Sequence, residues 1–287
     1  MRLFPTSAAL AVIVLVSATG AEPQNPSPMV EHTREHPRLK EEHPEGRRDK
    51  LGAGTLFIPQ SLVGKTEAPL LLFMHGGAWL PEVAAAKKTM AVIVIQRSDG
   101  YRALFENEGA LEAMLTEASD KSGMRWSEVT VGGWSAGCSG IRQMLRSPAA
   151  AKRVNRVLMI DGIHSSYLNG KPGPLESQVD MDVLKPIADF AREAMTGQKR
   201  LLITHSEIFP GTFASTTETA DWLTKELGVK RRAVLEWGPM KTQMLSEARS
   251  GAFRLVGFAG NSAPDHVDQL HALPELLEWL DAMGKEK

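Results

Sequence analysis

A series of short, almost wholly apolar runs constrains this chain more than any other feature. They are Pro69 to Met74, Met90 to Ile95, Val129 to Gly132, Val157 to Ile160, Leu201 to Thr204 and Phe253 to Phe258. A run of this length without polar alternation needs cover on both faces, as a strand in a parallel sheet has. Gly54 to Pro59 is a further short strand. Between the runs lie segments of crossover length, several with a helical stripe. Leu104, Leu111, Ala113, Met114, Leu115 and Ala118 are read as one apolar stripe of Leu104 to Ser119, with charges on the other side. Glu82 to Lys88, Ile141 to Leu145, Ile187 to Ala194, Thr216 to Leu227 and Leu273 to Met283 also read as helical. The alternation predicts one α/β domain over 51–287, a doubly wound, mostly parallel sheet with helices on both faces. Functional groups in such sheets gather at the carboxyl ends of the strands.

The third run leads into Gly133-Trp134-Ser135-Ala136-Gly137, a Gly-x-Ser-x-Gly turn followed by an amphipathic segment. A serine on a tight strand-to-helix turn is pushed out of the sheet, and the flanking glycines leave no Cβ to clash. The helix start beyond it offers backbone N–H groups and a positive dipole end to a developing negative charge. The pentapeptide is common, so its meaning depends on what stands at the other strand ends.

Composition excludes several classes. Lys and Arg number 33 against 34 Asp and Glu, a formal charge of −1, which gives no basic face for nucleic acid. Arg2, the apolar stretch Ala8 to Val16 and small residues at Ala18 to Gly20 read as an export signal over 1–20, too short for a bilayer span. The expected location is therefore secreted or periplasmic, with no stable membrane span after cleavage. Residues 21–50 are rich in Pro, Glu, Arg and His and read as a flexible linker or arm. His32, His36 and His43 lie there at irregular spacing broken by prolines, which is not a ligand set. Cys138 is the single cysteine, so no internal disulfide forms, and its place on the elbow helix suits a small buried packing residue. No metal-ligand spacing, phosphate loop or dinucleotide fingerprint is present, and neither metal nor cofactor is expected.

The second strand end reads His75-Gly76-Gly77-Ala78-Trp79, about 60 positions before the serine turn. With both motifs in this order the chain resembles the α/β-hydrolase superfamily, in particular esterase-like and lipase-like members with an HGGxW oxyanion motif. The resemblance covers Leu51 to the C-terminus by element order and is specific at those two motifs. Ala78 stands where an HGGG form would have a third glycine.

The resemblance implies a serine hydrolase acting on a small-molecule carboxylic ester. Ser135 would be the nucleophile, and the N–H groups of Gly76, Gly77 and Ala136 the oxyanion hole. His75 would brace its loop and would not be the base. The base is expected after the last strand, where His266 is placed ahead of His271. The acid is expected after Leu201 to Thr204, which puts Glu207 first. Asp161, one strand earlier, comes second, and an Asp-Gly pair there is also an ordinary turn cap. Asp265 adjoins His266 but is expected to point elsewhere. Trp79, Trp134, Tyr101, His164, Tyr167 and His205 stand at or beyond strand ends as candidate lining or packing residues. An amidase or peptidase on the same groups, and a non-catalytic binding protein of the same fold, are the alternatives.

Overall fold

The computed structural model describes residues 35–170 and 178–284. The expected leader lies outside the described residues, and among these no helix is long and apolar enough to cross a membrane.

The apolar runs form the middle of one ten-stranded sheet. Its strands are β1 (Gly46–Lys50), β2 (Thr55–Pro59), β3 (Glu67–Met74), β4 (Ala91–Ile95), β5 (Arg125–Trp134), β6 (Arg156–Ile160), β7 (Arg200–His205), β8 (Arg232–Trp237), β9 (Gln243–Ser250) and β10 (Phe253–Phe258). The spatial order is β1-β2-β4-β3-β5-β6-β7-β10-β9-β8. From β4 to β10 every neighbouring pair is parallel, and the outer pairs at both edges are antiparallel.

Successive side chains on a strand point to opposite faces, so each buried strand feeds two cores. Leu70, Leu72 and Met74 of β3 join one cluster while Leu71 and Phe73 join the other. Helices α1 (Trp79–Lys87), α7 (Ala263–His271) and α8 (Leu273–Ala282) cover the second face. The first is covered by α2 (Ala110–Ser122), α3 (Cys138–Met144), α4 (Pro148–Arg153), α5 (Lys185–Met195) and α6 (Thr216–Glu226). This is the doubly wound arrangement that the alternation predicts.

Three elements depart from the sequence expectation. β1 pairs with β2 from Gly46↔Pro59 to Lys50↔Thr55, so part of the stretch expected as a flexible arm adds an edge strand to the sheet. The helical stripe expected over Leu104 to Ser119 breaks into a 3-10 turn, Arg102–Phe105, and then α2 from Ala110 to Ser122. The hairpin β8–β9 has no counterpart in the apolar pattern, because β8 is exposed along nearly its whole length.

Candidate active site

Ser135 opens a single 3-10 turn between β5 and α3 and has φ of 51°. A non-glycine residue in the left-handed region is strained, and packing on both sides must hold it there. Gly133 and Gly137 permit that packing. A Cβ on Gly137 would lie 2.1 Å from the Met74 carbonyl oxygen of β3, and one on Gly133 would lie 2.9 Å from the Gly137 carbonyl carbon. Ala136 follows in the first turn, where backbone N–H groups lack an intrahelical acceptor.

The parallel strand next to β5 ends in the glycine loop. His75 and Gly76 have φ of 75° and 99°. A Cβ on Gly76 would come within 2.7 Å of Leu270 in α7, so the backbone here lies directly against the helix after the last strand. His75 Nδ1 is 3.1 Å from the Tyr101 hydroxyl, which accepts from the Arg97 N–H at 3.2 Å. That leaves the hydroxyl proton for His75, whose pKa is lowered by burial and by nearby His266. His75 braces the loop, as expected of it.

At the far side of the elbow, β6 ends in Asp161, with φ of 42°, and β7 ends beside Ser206. Asp161 is buried and accepts the Ser206 N–H at 2.7 Å and its hydroxyl at 2.8 and 2.9 Å. His266, in the second turn of α7, sets Nδ1 2.6 Å from Asp161 Oδ2. A carboxylate at that nitrogen fixes the tautomer with the proton on Nδ1 and leaves Nε2 as a lone pair. Ser135, Asp161 and His266 all line one open cavity of about 190 Å³, together with His164, Ser206, Ile208, Pro210, Phe213 and Thr216. Larger surface clefts of about 590 and 660 Å³ contain none of the three.

The structure does not bring Glu207 to His266. Its side chain is exposed and its N–H donates to the Gly260 carbonyl. Neighbours at a strand end face opposite ways, and Ser206 takes the inward position. His271 packs edge-on against Trp79, centroids 5.7 Å apart, away from Asp161. Asp265 accepts from the Ser262 N–H and hydroxyl in the capping box of α7.

The polar ring around the site divides into lining and packing. Trp134 lies between His75 and His266, centroids 5.2 and 4.5 Å away, and donates Nε1–H to the His266 carbonyl at 3.0 Å. These contacts fix the position of His266. Tyr167 donates to Glu218 of α6, which is part of that helix's capping box. His164 lines the cavity edge-on to Phe213, and burial lowers its pKa to about 4. His205 is fully buried behind Ser206. Cys138 is buried, its thiol within 3.2 Å of the Gly133 carbonyl oxygen and pushed up to about 12 by desolvation, which leaves no thiolate for nucleophilic work.

Among the described residues one cluster, His36, Asp265 and Asp268, has ligand-type atoms within 4.8 Å of one another. Asp268 already receives Arg38 at 2.8 Å and His36 at 2.6 Å, and Asp265 receives Ser262. With an arginine at its centre the cluster is an ion-pair network and not a cation site. Sequence reasoning missed it, together with Ser206 and the clamp made by Trp134.

No protein-family model and no curated protein matches the chain. Solved structures do. A hyperthermophilic esterase from the archaeon Pyrobaculum calidifontis matches with a TM-score of 0.51 at 12% identity, over 84% of each chain. An acetyl xylan esterase from Aspergillus awamori matches at 0.50 and 14% identity, over 83% of this chain and 99% of that one. The ester-hydrolase EH1AB1 from the Lake Arreo metagenome, complexed with a bipyridine phosphonate derivative, matches at 0.50 and 13%, over 85% of each. At such identities the likeness is one of architecture, and it joins the strand order and the elbow in a single conclusion: this protein has the α/β-hydrolase fold.

Proposed function

We propose that the chain is an exported serine hydrolase that cleaves a small-molecule carboxylic ester through an acyl-enzyme on Ser135. The observation that carries this reading is the 2.6 Å contact between His266 Nδ1 and Asp161 Oδ2, at the wall of the cavity that Ser135 also lines. An ionised carboxylate there orients the imidazole and stabilises the imidazolium formed when Nε2 takes a proton.

Ser135 Oγ attacks the ester carbonyl carbon as its proton passes to His266 Nε2. The oxyanion is held by the N–H groups of Gly76, Gly77 and Ala136, each worth roughly 3–4 kcal/mol in such sites. His266 returns the proton to the departing alkoxide, leaving Ser135 acylated and the alcohol released. Water then enters, gives a proton to His266 and attacks the acyl carbon, and collapse frees the acid as His266 returns that proton to Ser135 Oγ. The strained backbone at Ser135 and the glycines beneath it suit this chemistry better than a binding role.

The test uses a fluorophosphonate probe and a p-nitrophenyl ester. The wild-type chain should be labelled at Ser135 and turn over the ester, and Ser135→Ala should lose both while keeping its circular dichroism spectrum. Full turnover in the variant would overturn the proposal. Cleavage of the matching p-nitroanilide at a comparable rate would favour the amidase alternative.

A further inference from the structure

Strand β8 is the outer edge of the sheet, and its protection is partial: it is short, with charges at Arg232 and Glu236 and a bulge between Ala233 and Glu236, yet it presents large apolar side chains to solvent. Its sequence, Arg232-Ala233-Val234-Leu235-Glu236-Trp237, contains neither Pro nor Lys. Leu235 is 80% exposed and Trp237 73%, the highest values among the exposed large apolar side chains of the described residues. Leu245 of β9, also exposed, adds to the same hairpin. Exposed apolar residues scattered singly need no explanation, whereas several on one open edge mark an interaction surface.

We propose that this edge pairs with a second copy of the chain, β8 against β8, antiparallel about a two-fold axis through Val234. The occupant follows from charge. Antiparallel self-pairing centred on Val234 sets Arg232 opposite Glu236 of the second copy, and Glu236 opposite its Arg232. Each dyad-related pair thus joins unlike charges on one face. On the other face Leu235 meets the second copy's Ala233, and the two Leu235 side chains become diagonal neighbours across the axis. A two-fold contact must be self-complementary in this sense. Shifting the centre by one residue, to Leu235, would set Glu236 opposite Val234 and leave both charges unmatched.

Arg232 is available for this role. Glu247 already receives Arg254 at 2.8 Å and Arg249 at 3.0 Å, so the Arg232 contact at 3.1 Å makes a third arginine on one carboxylate. Arg232 is also the most exposed of these three, at 65%. Glu236 is exposed as well. The bulge between Ala233 and Glu236 lies within this stretch and twists it, so only a few backbone pairs can form with the second copy. The contact is therefore small, and the dimer should dissociate on dilution.

Sedimentation velocity over a dilution series tests the proposal. The wild-type chain should pass from dimer to monomer as it is diluted. Arg232→Glu puts carboxylates at both positions and Glu236→Arg puts guanidinium groups at both, so each single variant should associate at least about tenfold more weakly. An equimolar mixture of the two variants restores both unlike pairs and should form a heterodimer, and the double variant R232E/E236R should dimerise with itself. All these positions lie on the exposed strand away from the Ser135 cavity, so ester turnover should persist throughout. A wild-type chain that is monomeric at every concentration would overturn the proposal, as would a dimer that both single variants leave intact.

Discussion

Asp161 and Glu207 stand at the ends of adjacent strands, yet only one of them can meet His266. β6 and β7 run side by side in register up to Ile160↔Thr204. Asp161 turns inward with φ of 42° and receives three donors, while Glu207 turns outward. Asp161→Ala should therefore lower kcat by on the order of 10³–10⁴-fold, as loss of an orienting carboxylate does. Glu207→Ala should stay within about threefold of wild type, since surface changes away from the chemistry are usually small. Steady-state kinetics on one ester measures both, and a large loss in Glu207→Ala would reverse the assignment. The sequence ranks these two the other way round, for a definable reason. Pattern locates a strand end to within a residue or two but does not say which side of the sheet the next side chain takes. At β7 the inward place belongs to Ser206, a residue with no motif of its own. Ser135, His75, Gly76 and Gly77 were legible because their backbone demands restrict residue type.

At the scale of elements, α7 carries His266 and is held by the N-terminal arm. Asp268 lies two residues beyond His266 and is 0% exposed. It accepts from Arg38 Nε at 2.8 Å and contacts His36 Nδ1 at 2.6 Å, and Arg38 also donates to the Pro264 carbonyl at 2.9 Å. Removing one partner of a buried pair leaves a charge out of water without compensation. Arg38 is partly exposed and His36 remains, so Arg38→Ala should cost about 1–3 kcal/mol, below the full penalty for a buried pair. A lowered urea midpoint with an unchanged m-value would show it, and an unmoved midpoint would mean that the latch is idle. Neither this latch nor β1 shows in the local pattern of residues 35–50, which are polar and broken by proline. Their order comes from partners far along the chain, Asp268 for one and β2 for the other. The hairpin β8–β9 escapes for a related reason: it buries too little to need an apolar run. The central strands were legible because burial on both faces leaves almost no choice of residue.

At the scale of the whole molecule, burial holds His205 neutral in the native state over a pH range in which the unfolded chain would charge it. His205 closes β7 with no exposed surface, and burial lowers its pKa to about 4, helped by the neighbouring Arg231 cation. In the unfolded chain the same group returns to its ordinary value of 6.5. Between these values the unfolded state holds a proton that the native state does not, so stability rises with pH across that window and falls as pH drops through it. Going from pH 7 to 5, His205 alone should remove about 2 kcal/mol. His164, also lowered to about 4 by burial, adds in the same direction and window. Glu247 does not compete there. Burial raises its pKa, but Arg254 and Arg249 bring it net below 4.5, so its stabilisation is lost only under more acidic conditions. Urea unfolding at pH 7 and pH 5 isolates the histidine. His205→Gln carries an acceptor to the Nε2 position that faces Arg231 and cannot take up a proton, so its stability should change by about 2 kcal/mol less than wild type over the interval. The comparison is between slopes, and a uniform loss of stability in the variant cancels from it. Equal slopes would mean that His205 is reached by water in the native sheet, and the acid sensitivity would then belong to His164 and to the cavity it shares with Ser135.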